Sequence, residues 1–386
     1  EIREDDDLYI KQTLREACRA APGYTEEIDF VGLLLDAGAE GPSESSSADP
    51  RGSWRMRFQQ FCAPLAAKGF EDTLLYVCNR LLSLNEVGGC PDRFGLPAAD
   101  FHRFCEDRRR HWPHGLNATA THDTKRGEDA RARLDVLSEI PGPWTKQLRH
   151  WGRINRIKKT MVHGKPAPDR NDEYLFYQAL IGACPLGNST PEFRERMKVY
   201  AVKALREAKR HTSWTDPDDG YEAACLRFLD AILTPGTGNR FLDGFLRFHA
   251  GIVQFGMFNA ISQTLVKIAA PGVPDFYQGT ELWDFSLVDP DNRRPVDFQQ
   301  RQRILAEIRV RFDKDPASLV NEMLRTMEDG RVKMFLIWRA LSARRDHGEL
   351  FRDGEFIPLS AAGRCRKNTI AFARRNGTAW AVIVAP

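Results

Sequence analysis

Residues 119–129 read Thr-Ala-Thr-His-Asp-Thr-Lys-Arg-Gly-Glu-Asp, and this stretch constrains the fold more than any other. Small and β-branched residues at 118–121 predict a strand that runs into the pair His122-Asp123. Helix-compatible sequence then follows over 128–140. A strand ending in charged side chains just before a helix is how parallel α/β enzymes present catalytic groups. The same residues allow a plainer role, in which Asp123 or Thr124 only caps the following helix.

Around that stretch the chain reads as helices. Apolar spacing predicts them over 7–21 and 28–35, followed by a Ser-, Gly- and Pro-rich loop at 38–52. A strong helical signal covers 54–84. Within it Lys68, Asp72, Tyr76 and Arg80 recur every four residues and share a polar face, with Phe70, Leu74, Val77 and Leu81 opposite. Such a ladder fits either a solvated face of (i, i+4) charge pairs or a row of polar groups facing a ligand. Further helices are expected over 97–112, 144–162 (strongly basic), 190–210 and 221–233. Another spans 171–183, capped by Asn171 or Asp172, and one over 239–268 comes in two or more pieces. Residues 271–281 predict a short buried strand and a Gly-bearing loop. Helices follow at 298–312, 317–327 and 333–342, then strands at 369–374 and 380–384.

At 386 residues the chain can hold two or three domains, or one large barrel-like unit with insertions. Its 56 basic and 53 acidic residues nearly cancel, which gives no electrostatic argument for nucleic acid or an anionic membrane. The run Arg108-Arg109-Arg110 reads as a solvated helix face. No apolar run reaches the ~18 residues that span a bilayer, and the acidic first residues do not resemble a signal peptide. The eight cysteines form no Cys-x-x-Cys pair and the nine histidines no His-Glu-x-x-His spacing. We therefore expect reduced thiols in a cytoplasmic protein, with neither metal nor cofactor. The last residues read as a strand without a following turn, which leads us to expect part of a longer chain.

Six ordered blocks together resemble one family. They are Lys68-Gly69-Phe70-Glu71-Asp72-Thr73, Ser83-Leu84-Asn85-Glu86-Val87-Gly88-Gly89, Thr121-His122-Asp123-Thr124-Lys125-Arg126, Asn171-Asp172-Glu173-Tyr174, His211-Thr212-Ser213-Trp214, and residues 271–297. They are similar to those of maltooligosyl trehalose synthase, within the α-amylase superfamily. The resemblance implies a mainly α-helical, α-rich α/β chain. It would form the C-terminal part of a (β/α)8 barrel, with strands seven and eight, large helical insertions and a partial C-terminal β domain. The corresponding divisions are a helical insertion at 1–118, the two strands with a helical insertion at 119–330, and a linker helix with partial β domain at 331–386.

By that resemblance the whole enzyme isomerises the reducing-end α-1,4 bond of a maltooligosaccharide to α,α-1,1, an intramolecular transglucosylation in trehalose biosynthesis. Asp123 is then the transition-state-stabilising carboxylate. His122, Lys125, Arg126, Lys68, Glu71, Asp72, Tyr76, Arg80, Asn85, Glu86 and Glu281 are expected to bind or enclose the sugar. The family's usual Arg-Tyr after Tyr76 is replaced here by Val77-Cys78. Retaining glycosyl transfer needs two carboxyl groups about 5 Å apart. The superfamily's Asp nucleophile and Glu acid/base have no counterpart before Asp123, so the chain alone is expected to be inactive and to need a missing N-terminal half. A catalytically inactive glucan-binding or regulatory protein is the alternative, and a helical protein–protein module a third. Local roles also fit: Glu71 and Asp72 balancing Lys68 and Arg80, Asn85-Glu86 ending a helix, and Glu281 capping or pairing with Arg293.

Overall fold

The computed structural model describes residues 4–35, 50–186 and 189–386. The chain divides into two compact units, residues 1–72 and 73–386. Most of the loop expected at 38–52 lies outside the described residues. Pro50, Arg51 and Gly52 already belong to a helix.

The first unit is built of α1 (Glu4–Ala20), α2 (Thr25–Leu35) and α3 (Pro50–Ala66). Trp54 and Phe58, one turn apart, stack with centroids 5.0 Å apart. The Arg55 Nε donates to the Leu34 carbonyl at 2.8 Å. No described side chain of this unit is fully buried.

After α3 the backbone widens into a π-helix, Ala67–Leu74, and ends as α4 (Leu75–Val77). This corrects the expected continuous helix over 54–84. A π-turn bonds i to i+5 rather than i+4, so a four-residue ladder cannot keep one face through it. Tyr76 is consequently buried, Phe70 and Leu74 are exposed, and Arg80 lies beyond the helix end.

The second unit holds α5 (Ala98–His111), β1 (Leu116–Asn117), α6 (Glu128–Glu139) and α7 (Pro141–Asn155). A hairpin, β2 (Thr160–Val162) and β3 (Lys165–Ala167), occupies the end of the expected basic helix and the residues after it. Lys159 and the segment Thr160-Met161-Val162, with β-branched residues at both ends, leave the helix once its last turn tightens at Arg156–Lys158. Then come α8 (Arg170–Ala183), α9 (Pro191–Ala208), α10 (Asp219–Leu233) and α11 (Arg240–Ala269). Thr190 and Asp218 cap their helices as their residue types suggest. For α8 the cap is Asp169, which accepts from Asp172 N at 2.8 Å, and not Asn171 or Asp172.

Helix α11 is one 30-residue rod rather than several pieces. Its glycines do not break it, and Gly256 serves packing: a Cβ there would lie 2.9 Å from the Arg133 Cα of α6. The missing side chain lets α6 and α11 approach closely.

Short β4 (Val273–Pro274) pairs in parallel with β1, Leu116 opposite Val273 and Asn117 opposite Pro274. Val273 is exposed, not buried as expected. The chain closes with α12 (Phe298–Lys314), α13 (Pro316–Arg325), α14 (Arg331–Asp346) and α15 (Gly348–Arg352). The antiparallel sheet β5 (Glu355–Leu359), β6 (Ile370–Asn376) and β7 (Ala379–Ala385) follows. The fold is mainly helical with small sheets, and the described strands form no closed barrel.

Three cores hold this unit together. The largest centres on Trp151, which meets Trp144, Tyr177, Phe241, Phe245 and Phe248 with centroids within 5.3–5.8 Å. Aromatic pairs at such spacing add stabilisation beyond area burial. A second core lies under the C-terminal sheet around Phe372, and a third joins α12, α13 and α14 around Met327 and Met334.

Candidate functional site

Strand β1 ends at Asn117, so Asp123 stands on a turn beyond it rather than at the strand's last residue. The difference is chemical: Thr121 and Thr124 spend their hydroxyls on a tight loop. Thr124 Oγ1 donates to the Thr121 carbonyl at 2.9 Å, and Asp123 N donates to Thr121 Oγ1 at 3.2 Å. This turn points His122 and Asp123 into solvent, their side chains 65% and 63% exposed. His122 Nε2 lies 3.4 Å from one Asp123 oxygen, and Arg293 Nη2 lies 3.7 Å from the other. Neither Asp123 nor Thr124 caps α6. Gly127 occupies that position, and Glu128 and Asp129 supply the acidic first turn that suits the helix dipole.

Behind the turn, Glu86 acts as a clamp. Its carboxylate accepts from Lys125 N at 2.7 Å, Arg126 N at 3.3 Å and Arg131 Nη1 at 2.7 Å. Arg126 is buried, donating to the carbonyls of Leu82 and Asn85 and, at 3.1 Å, to the Tyr200 hydroxyl. Asn85 in turn donates to Leu75 O at 2.7 Å and Cys78 O at 2.8 Å. Burial pushes the Tyr76 phenol well above its ordinary pKa. The structure thus brings Tyr76, Asn85, Glu86, Lys125 and Arg126 together, with Tyr76, Asn85 and Arg126 turned into the protein.

The other expected residues have contacts of their own. Lys68 and Asp72 pair at 2.6 Å along their own helix, in the same segment as Glu71. Arg80 is exposed, and its carbonyl accepts from Tyr174. Glu281 pairs with Arg301 at 3.0 Å and accepts from Gly279 N, so its partner is not Arg293.

A buried charge network lies at the start of α6, and sequence reasoning missed it. Lys333 Nζ sits 2.7 Å from Glu128 Oε1 and 2.8 Å from Asp129 Oδ2, all three side chains essentially inaccessible. Lys267 Nζ reaches Glu128 at 3.2 Å and Thr119 at 2.8 Å, and stacks 3.9 Å from the Phe276 ring. Burial alone would raise the Glu128 carboxyl, but the ammonium groups of Lys333 and Lys267 hold it far below its usual range. Burial raises Asp129, helped by the neighbouring Glu128 charge. A lone Lys in the apolar run Val332-Lys333-Met334-Phe335 was the available signal. Its partners lie about two hundred residues away, so spacing could not name them.

Asp169, Asp172 and His211 offer ligand atoms within 4.8 Å of one another. Each already serves the protein. Asp169 caps α8 and accepts from His211 Nε2 at 2.8 Å, and Asp172 accepts from the Tyr221 hydroxyl. This joins the Asn171–Tyr174 and His211–Trp214 blocks as a hydrogen-bonded clasp. No described helix is long and apolar enough to cross a membrane.

Solved structures with a similar fold are trehalose synthases of the amylase-like class. No family model matches the chain. Maltooligosyltrehalose synthase from Arthrobacter ramosus superposes with a TM-score of 0.78 at 35% identity, over 98% of this chain and 44% of that one. A second solved maltooligosyl trehalose synthase gives 0.73 at 32% identity, over 97% of this chain and 51% of the other. A curated relative from Mycobacterium tuberculosis carrying that name is 38% identical over 320 residues, 83% of this chain. The chain belongs to the maltooligosyl trehalose synthase family. It spans 37% of the length of that curated relative.

Proposed function

We propose that this chain is the portion of a maltooligosyl trehalose synthase that supplies the stabilising carboxylate and part of the sugar enclosure. The nucleophile and acid/base belong to sequence that the relatives carry and this chain does not. In this reading the parallel pair β1 and β4 corresponds to barrel strands seven and eight, with helical insertions before and between them and a partial β domain after. The complete enzyme breaks the reducing-end α-1,4 bond of a maltooligosaccharide. The freed glucose then returns through its anomeric oxygen, forming the α,α-1,1 bond with no net consumption of water.

Asp123 accepts hydrogen bonds from hydroxyls of the reacting sugar. These strengthen as positive charge develops at the anomeric carbon, so the carboxylate favours the transition state over the ground state. His122 borders the same sugar. Lys68, Glu71, Asp72, Arg80 and Glu281 are further candidates for sugar contacts in an enzyme that must keep water from its intermediate. Tyr76, Asn85, Glu86, Lys125 and Arg126 act largely from behind, by fixing the turn. The observation carrying this reading is the exposed Asp123 carboxylate on a turn that follows a parallel strand pair, inside a block matching the family.

The test has two arms. The chain is assayed with maltopentaose alone and after addition of the remaining part of the enzyme. Trehalose-end formation is expected only on mixing, and turnover by the lone chain would contradict the assignment. In the complete enzyme, Asp123→Asn is expected to lower kcat about 100- to 1,000-fold.

A further inference from the structure

Three consecutive residues of the loop at 284–297 act on the Asp123 turn at different depths. Asp291 is buried and accepts from Leu287 N at 2.6 Å and from Arg196 at 2.6 and 2.8 Å, which fastens the loop to α9. Asn292 is also buried. Its Nδ2 donates to the His122 carbonyl at 3.1 Å and reaches the Thr124 carbonyl at 3.5 Å. Its own carbonyl accepts from the Tyr277 hydroxyl at 3.2 Å. His122 and Thr124 flank Asp123, so a single amide spans the two carbonyls on either side of the carboxylate residue. Arg293 then emerges at the surface between Asp123 and Asp289, 3.7 and 3.4 Å from their oxygens. At 3.7 Å a guanidinium orients a carboxylate by charge without hydrogen-bonding it.

We propose that Asn292 is a positioning residue for Asp123, fixing the backbone from which that carboxylate faces the sugar. The proposal rests on the reading of Asp123 given above. Two carbonyl acceptors so close together call for a side chain with two N–H groups on one nitrogen, which Asn supplies and Asp or Ser does not. Asn292→Asp keeps the shape but turns oxygen toward oxygen, so the turn must shift. A misplacement of an ångström at a reacting centre costs large factors in rate while substrate contacts made elsewhere persist.

The experiment compares kcat and KM for maltopentaose in the complete enzyme carrying Asn292→Asp, Tyr277→Phe or Asp123→Asn. Thermal unfolding of each variant is followed alongside. Asn292→Asp is expected to lower kcat roughly tenfold or more with KM within about threefold of the parent. Tyr277→Phe, which loosens the same residue, is expected to show a smaller loss of the same kind. Unchanged kcat in Asn292→Asp, or a loss that only follows its unfolded fraction, overturns the proposal. Should Asn292→Asp not fold, Tyr277→Phe decides: lowered kcat at constant KM supports it and unchanged kcat overturns it. Full activity in Asp123→Asn would sink the reading of Asp123 itself. An inactive Asp123→Asn beside an unaffected Asn292→Asp would sink the clamp alone.

Discussion

Glu86 and Arg131 meet at 2.7 Å with side chains only 15% and 13% exposed, and the same carboxylate holds the Lys125 and Arg126 amides. One side chain therefore ties the segment after α4 to the start of α6. Glu86→Ala leaves three backbone N–H groups, those of Val87, Lys125 and Arg126, without this acceptor and the Arg131 guanidinium without its charge partner. Hydrogen bonds to charged groups are each worth about 1.5–3 kcal/mol. We expect Glu86→Ala to lower the unfolding free energy by about 2–4 kcal/mol, read from urea titration. A change near zero would mean that water replaces the carboxylate.

Lys333 pairs with two buried carboxylates. Lys333→Met keeps the length and apolar stem but leaves Glu128 and Asp129 facing each other, with Lys267 beside Glu128 only. Removing one partner of a buried ion pair costs about 3–5 kcal/mol. Thermal unfolding is expected to shift down accordingly. Adding Asp129→Asn to Lys333→Met should recover part of the loss.

His249 contributes a pH dependence opposite in sign to that of the buried Asp129 and Asp172 carboxyls, which burial raises to about 6. It is buried, accepts from Arg133 Nη1 at 3.0 Å, and is pushed down to about 3 by burial and by that guanidinium. A folded-state value below the unfolded one means that only the unfolded chain takes up a proton as pH falls below about 6.5. Its contribution is therefore fully present above pH 6.5 and is lost as pH falls toward 3. The slope is about 1.4 kcal/mol per pH unit. His249→Gln is expected to remove that slope in unfolding curves compared at pH 7.5, 6 and 5.

Gly256 permits the close approach of α6 and α11, because a Cβ would lie 2.9 Å from the Arg133 Cα. The obstacle is backbone, which cannot swing away. Overpacking of this kind costs about 1–3 kcal/mol. Gly256→Ala should destabilise by about that amount despite its better helix propensity. Gly251→Ala, which meets nothing within 4 Å, should be neutral or slightly stabilising.

Most helices were legible because apolar spacing and start signals are local properties, as over 190–210 for α9; the Asp218 cap of α10 was read only as part of a turn. The exceptions have physical causes. The π-turn at Ala67–Leu74 shifted the register that the Lys68–Arg80 ladder assumed. Thr121 and Thr124, β-branched and strand-like by type, closed a turn instead. For the candidate site, the exposure of Asp123 could be read from its block. The Glu86 clamp, the Asn292 bridge and the Lys333 network could not, since each joins residues that no spacing rule connects.

The Asn292 bridge also carries a consequence for biosynthesis. It spans 170 residues of chain to reach His122, and the β1–β4 pairing crosses a comparable interval. On the ribosome, where the N-terminal side emerges first, the loop bearing Asp123 must wait for the whole helical layer behind it before its last fastening arrives. Contacts of such long range are slow to close. The fastened Asp123 turn is therefore among the last things this polypeptide acquires.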